Sequence, residues 1–363
     1  GDFSGINRLV FVFNHLFADQ KFMTIFSLLF GAGIALVAER AEARDRSPTG
    51  LHYRRMYWLL VLGAIHAYLL WYGDILVIYS LCGLVVYWFH RRRPTTQIVI
   101  GLLMLAVSSA VYFLFGSSLP NWPEEAREGM LEGWAPSAEL IAAELAAYRG
   151  SWSDQFAERA PTAAEFHTVV FLVWGFWRAG GLMVLGMALY HWGFFSAQFQ
   201  PARYRWLAAV GLGLGLPIVA IGLWQHEAHG WSFEYSFFQG AQFNYWGSLL
   251  VAVGYTSLVM LWFQSGRLVA LRHRLAAVGR MAFSNYIAQT LICTTLFYGF
   301  GLGWFGHAER WQQMIVVLCV WMLLLVWSPW WLARFRFGPL EWLWRTLTYG
   351  RLQPLRKTGA AGA

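Results

Sequence analysis

Charge is scarce in this 363-residue chain: Asp, Glu, Lys and Arg together make up 13%, against 58% hydrophobic residues. A soluble domain carries about 25% charged residues, so the composition points to lipid rather than water as the main solvent. Cysteine is scarcer still. Cys82, Cys293 and Cys319 each sit inside an apolar run with no CxxC or Cys/His spacing. That excludes a disulfide framework and a zinc site, and leaves three small buried hydrophobes as the expectation. A nucleophile elbow, a phosphate loop and an HExxH helix are also missing, as is a signal-peptide pattern at the start. The net charge of +8 does not make this a nucleic-acid binder. The basic residues lie in short clusters at the ends of apolar runs, where the positive-inside rule places them.

What is abundant is long apolar stretches. Phe22 to Ala38 is the first, after a mixed aromatic start. The stretch Tyr53 to Arg93 follows, and around it the rest is organised. It opens on Arg54-Arg55, closes on Arg91-Arg92-Arg93, and carries Gly73-Asp74 at its centre. Further runs are Thr96–Phe115, His167–Tyr190, Arg205–Leu223, Phe243–Phe263, Met281–Phe300 and Trp311–Leu332. At about 1.5 Å per residue each is long enough for about 30 Å of hydrocarbon.

Tyr53 to Arg93 is read as two crossings folded into a hairpin. With two crossings, 20 of the 27 Lys and Arg residues fall on one side of the membrane; with one, the triple arginine breaks the pattern. The expected fold is therefore an all-α, polytopic transmembrane helix bundle with about nine spans. It sits in a bacterial inner membrane with its C-terminus in the cytoplasm. Nine spans place the N-terminus outside, so a further helix upstream, about ten in all, is expected. The organisation is 1–115, N-terminal helices with the hairpin; 116–165, an acidic outer loop; 166–337, C-terminal membrane helices; and 338–363, a cytoplasmic interfacial helix and tail. The outer loop holds nine acids against three arginines. Its segment SAELIAAELAAY predicts a short helix capped by Ser137. Gly338-Pro339 breaks the chain after the last span. Beyond it Glu341 and Arg345 stand i,i+4 and are able to pair, Trp342 and Trp344 suit the interface belt, and the final GAAGA is expected to be disordered.

An ionisable group inside a span is expensive and marks a functional candidate. His66 lies eight residues before Asp74, roughly 12 Å along one helix. Arg178 sits near the middle of its span, too deep to snorkel, and so requires a buried anion; Asp74 is the expected partner. Asn285 and Gln289 share one helix face. His15, with Asn14 and Asp19, lies beside the same outer surface. Each residue also has a plain structural role open to it: Asp74 as a helix cap, His66 as a packed histidine, Asn285 and Gln289 as cross-helix hydrogen bonds.

Several segments carry a resemblance. FSLLFGAGIAL with its basic linker, RRMYWLLVLGAIHAYLLWYGDILVIYSLCGL, GRMAFSNYIAQTLICTTLFYGFGLGWFG and RFRFGPLEWLWRTLTYG resemble the YeiB family of bacterial membrane proteins (domain of unknown function 418). The match runs from about Lys21 to about Arg351. Members usually begin with a further helix carrying Asp-x-x-Arg-Gly, which is absent here. The family is distantly similar to membrane acyltransferases, including the heparan-alpha-glucosaminide N-acetyltransferase group. There an FxxxxG helix and a Gly-containing segment occupy places comparable to Phe26–Gly33 and Gly73–Leu76. The resemblance implies transfer of an acyl group by way of a histidine, with acyl-coenzyme A as donor and a lipid or extracytoplasmic acceptor. His66, Asp74 and His15 would then be catalytic, and Arg178, Asn285 and Gln289 would bind substrate. Two other readings stand beside this one. One is a transporter or lipid-handling protein whose Arg178 and Asp74 bind a small anionic solute. The other is a structural or sensory protein whose outer loop meets a partner. Membrane lipid is a partner in all three.

Overall fold

The computed structural model describes residues 3–45 and 47–357. Arg46 of the first basic cluster and the GAAGA tail lie outside them. Among the described residues the chain is helical, with one isolated antiparallel bridge, Phe335 to Arg356, that folds the tail back on the end of the last long helix.

Among the described residues six helical runs are long and apolar enough to cross a membrane. The first joins α1 (Gly5–Phe17) to α2 (Lys21–Glu42). α3 (Pro48–Leu69) and α4 (Leu76–Val86) follow, then α5 (Pro94–Ser118), the second long run. Three helices then form a separate layer: α6 (Glu124–Trp134), α7 (Ala138–Arg149) and α8 (Trp152–Glu165). α8 continues through a π-helical stretch, Phe166–Gly180, into α9 (Gly181–His191). α10 (Pro201–Ala228) is followed by a single turn, α11 (Phe233–Tyr235), a π-helical turn at Ser236–Gly240, and α12 (Ala241–Ser265). The amphipathic α13 (Val269–Arg280) leads to α14 (Ala282–Phe297), α15 (Arg310–Arg334) and the short α16 (Pro339–Tyr349).

α3, α4 and α14 are the other three of the nine expected spans. α14 has 16 residues, about 24 Å at the α-helical rise and short of about 30 Å of hydrocarbon. α3 is 22 residues long, but its first eight include Thr49, His52, Arg54 and Arg55.

The centre is made where α2 crosses α9. Lipid offers no hydrophobic drive between helices, so close backbone approach has to supply the contact energy. A Cβ on Gly31 would collide with the Met183 carbonyl, and one on Gly186 with that of Leu28. The two glycines are therefore reciprocal, each opening room for the other helix. Around this crossing Ala35, Tyr79, Cys82, Met183 and Met187 are buried together. Of the cysteines only Cys82 meets the expectation of burial; Cys293 is half-buried and Cys319 is exposed on the bundle's flank.

The acidic segment is docked rather than free. Ser137 caps α7, its Oγ accepting from Leu140 N at 3.2 Å, as the sequence predicts. Trp152 Nε1 donates to the Leu69 carbonyl at 3.1 Å, and Arg149 Nε to that of Phe305 at 2.8 Å. These contacts hold the layer over the end of the bundle where α3 turns into α4, called here the tip end. The opposite, basic end carries α16. There the expected Glu341–Arg345 pair does not form. Glu341 accepts from Phe283 N at 2.7 Å, from Ser284 N at 3.1 Å and from the Ser284 hydroxyl. Arg345 lies over the Phe337 ring instead. The free N–H groups at the start of α14 compete better for the carboxylate than an exposed arginine does.

Candidate functional site

The break between α3 and α4 builds the site. α3 ends at Leu69 and α4 begins at Leu76, so Asp74 does not lie 12 Å up a continuous helix. The chain folds back and brings its carboxylate against His66, Oδ1 to Nδ1 at 2.7 Å. The other oxygen, Oδ2, accepts from Val77 N at 2.8 Å in the first turn of α4. Asp74 is thus a helix cap and a histidine partner together, the two roles divided between its oxygens. Both residues are 1% exposed.

α14 completes the cluster. His66 Nε2 meets Thr290 Oγ1 at 2.9 Å, and the Tyr286 hydroxyl donates to Asp74 Oδ1 at 3.3 Å. The same hydroxyl accepts from Ile75 N at 3.2 Å, and the His66 and Tyr286 rings are 5.0 Å apart. Tyr286 and Thr290 are four residues apart, one helical turn, so they face α3 together. With Asp74 accepting at Nδ1, that nitrogen carries the imidazole proton and Nε2 is left basic, pointing at a hydroxyl. This is the carboxylate–imidazole–hydroxyl order that activates a hydroxyl or passes its proton on.

Two cavities share Tyr286 in their walls. At the tip end, one of about 470 Å³ is lined by Trp71, Tyr72, Tyr286, Gln289 and Thr290, and roofed by Glu144 and Tyr148 of the acidic layer. Burial, with Tyr72 and Glu144 adding to it, pushes the Tyr148 phenol up to about 12, so it stays a neutral hydrogen-bonding group. At the basic end, one of about 580 Å³ is lined by Phe26, Phe30, Met56, Leu59 and Leu76, with Arg55 and Arg280 also on its wall. The same Tyr286 lines it. Gly33 and Ile75 border it too, so both segments of the acyltransferase resemblance line one cavity.

The other predicted residues are placed elsewhere. Arg178 does not pair with Asp74, whose carboxylate is already engaged by His66, Val77 N and Tyr286. It donates to the Tyr245 carbonyl at 2.7 Å, Ser248 Oγ at 2.7 Å and Thr24 Oγ1 at 3.0 Å, and lies 4.2 Å over the Tyr245 ring. Among the described residues no carboxylate is within ion-pairing distance of it. Carbonyl, hydroxyls and a ring face solvate this cation in place of the expected anion. Asn285 donates to Ser328 Oγ at 3.0 Å, tying α14 to α15, and Gln289 faces the tip cavity beside Thr290. His15 lines a different cavity, 3.5 Å from Asp19. Thr290 and the capping role of Glu341 were not read from the sequence. The i,i+4 relation to Tyr286 was the available signal for Thr290; Glu341 had none, because its partner is a backbone 58 residues away.

Residues 189–351 match the family model described as "Protein of unknown function (DUF418)". Over 343 residues the chain is 34% identical to the uncharacterized protein YeiB of Escherichia coli (strain K12), covering 93% of this chain and 83% of that protein. It is 29% identical to the uncharacterized protein YxaH of Bacillus subtilis (strain 168), covering 98% of this chain and 85% of that one. No solved structure matches it. By these similarities and its long apolar helices, the chain is a membrane protein and belongs to the YeiB (DUF418) family.

Proposed function

We propose that this protein is a transmembrane acyltransferase whose general base is His66, held by Asp74. One observation carries the reading: Tyr286 lines both the basic-end and the tip-end cavity, and His66 and Asp74 sit against it. In this reading the bundle lies in the bacterial inner membrane with nine crossings, the tip end outward and the C-terminus in the cytoplasm. The clustering of basic residues supports that orientation.

The basic-end cavity suits an acyl thioester such as acyl-coenzyme A. Its apolar wall accepts an acyl chain, while Arg55 and Arg280 meet a phosphate-bearing head. The tip cavity takes the hydroxyl acceptor, a lipid or an extracytoplasmic compound. Thr290 passes the acceptor's proton to His66 Nε2 as the acceptor oxygen attacks the thioester carbonyl. The C–O bond forms, the C–S bond breaks, and the thiolate leaves with the proton returned by His66. Asp74 keeps the imidazole in the required tautomer and stabilises it when charged. The transporter reading needs Arg178 within reach of a solute, and the guanidinium is fully buried and engaged by protein groups.

The test uses purified protein in nanodiscs of bacterial lipid, given short- and long-chain acyl-coenzyme A labelled in the acyl group, with a membrane extract as acceptor source. Protein-dependent movement of label into an extractable product is expected. Labelled donor left untouched at every chain length would overturn the reading.

A further inference from the structure

A further cavity, of about 370 Å³, lies at the meeting of α1, α6, α10 and α12 and shares no lining residue with the tip-end or basic-end cavity. Its walls are aromatic: Tyr112, Trp134, Trp174 and Trp231. Trp134 closes it from the acidic layer, its Nε1 donating to the Trp231 carbonyl at 3.0 Å.

The polar lining falls into two sets. One is satisfied by protein groups. Asn244 Nδ2 donates to Asp19 Oδ2 at 2.9 Å, and behind the wall the fully buried Lys21 donates to Asn244 Oδ1 at 2.7 Å. The other set has no protein partner. Gln20 Oε1, His226 Nδ1 and Ser236 Oγ are buried without a hydrogen bond, and all three residues line this cavity. Ser236 is 1% and His226 6% exposed. Buried polar atoms are normally satisfied, and three orphans around one space call for something that fills it. His226 is fixed in place: its ring stacks on Trp231 at 4.9 Å and packs against Gly240, where a Cβ would strike it. Ser236 opens a π-helical turn, a distortion found often at functional sites.

We infer that this cavity is a binding site for a small, uncharged, hydroxyl-rich ring, a monosaccharide or cyclic polyol. The amide oxygen of Gln20 only accepts, the Ser236 hydroxyl does both, and His226 Nδ1 does either according to tautomer. A hydroxyl donates and accepts, so a polyol satisfies all three without a fixed charge. Indole faces suit the apolar face of such a ring. Asp19, about half-exposed on this wall, disfavours an anion. The volume is at the low end of small-molecule sites, roughly 300–1,000 Å³, which fits one ring and not a chain of them. The inference stands apart from the acyl-transfer reading, because binding here uses none of the residues around His66.

The experiment is saturation-transfer NMR and calorimetry on the full chain in nanodiscs, prepared without glycoside detergents. The probes are glucose, galactose, N-acetylglucosamine and myo-inositol, with nicotinamide as an uncharged aromatic amide. Saturable binding of at least one polyol is expected, weakened about fivefold by Ser236→Ala and more by Trp134→Ala. Trp134 sits on the outer layer and is 38% exposed, so its variant retains the bundle. No saturable response to any polyol up to about 100 mM overturns the inference. So does binding of nicotinamide alone, or polyol binding that both variants leave unchanged.

Discussion

Arg178 and the His66–Asp74 pair are both buried ionisable centres of this bundle, and they differ in what surrounds them. Arg178 is the more isolated by sequence, a lone cation mid-span, yet protein groups engage both its terminal nitrogens and a ring covers its face, with only Nε left without a partner. His66 and Asp74 are hydrogen-bonded to one another, yet Thr290 and Tyr286, which they touch, both open on cavities. The cost of burying charge explains why both centres are elaborately hydrogen-bonded. It does not separate a structural node from a reactive one; access to empty space does. Arg178 ties α2, the π-helical stretch and α12 together. His66 sits against Tyr286, which lines two cavities.

This contrast is open to attack by substitution, each variant read both by turnover and by thermal stability in nanodiscs. The largest effect is expected from Asp74→Asn, which removes the carboxylate that sets the imidazole tautomer. Turnover falls on the order of a thousandfold, about 4 kcal/mol of barrier, while the melting temperature stays within a few degrees. Arg178→Met comes next and acts in the other currency. It removes three hydrogen bonds to a buried cation and the ring contact with Tyr245, costing roughly 3 kcal/mol of stability, with turnover per folded molecule unchanged. Glu341→Gln weakens the cap on α14, with a stability loss of about 1–2 kcal/mol. It lowers turnover about tenfold or less, since Tyr286 and Thr290 are positioned by that helix. Tyr286→Phe is the mildest: it loses one long hydrogen bond to Asp74 and one from Ile75 N, about 1 kcal/mol.

Much of the architecture was legible because it depends on composition along the chain. The apolar runs became helices, the Gly73-Asp74 pair marked the break between α3 and α4, and Ser137 capped α7. The site was legible in part. His66 and Asp74 were singled out as buried ionisable residues, but their contact depends on the chain reversing at 70–75, which spacing along a helix does not reveal. The Arg178–Asp74 pairing failed for a related reason. It assumed that a buried cation requires an anion, whereas Tyr245, Ser248 and Thr24 supply a neutral polar shell. Thr290 is an ordinary threonine in sequence and gains meaning only from the histidine 224 positions away. The cavities, made by gaps between helices remote in the chain, leave no local pattern to read.

The most direct test of the dyad's role is the release of free coenzyme A thiol by His66→Ala, set against wild type and Arg178→Met at equal folded concentration. The account predicts that His66→Ala loses at least about a hundredfold in rate, while Arg178→Met matches wild type once its folded fraction is counted. Thiol release by His66→Ala at the wild-type rate, with Arg178→Met inactive though folded, would contradict it and move the chemistry to the arginine.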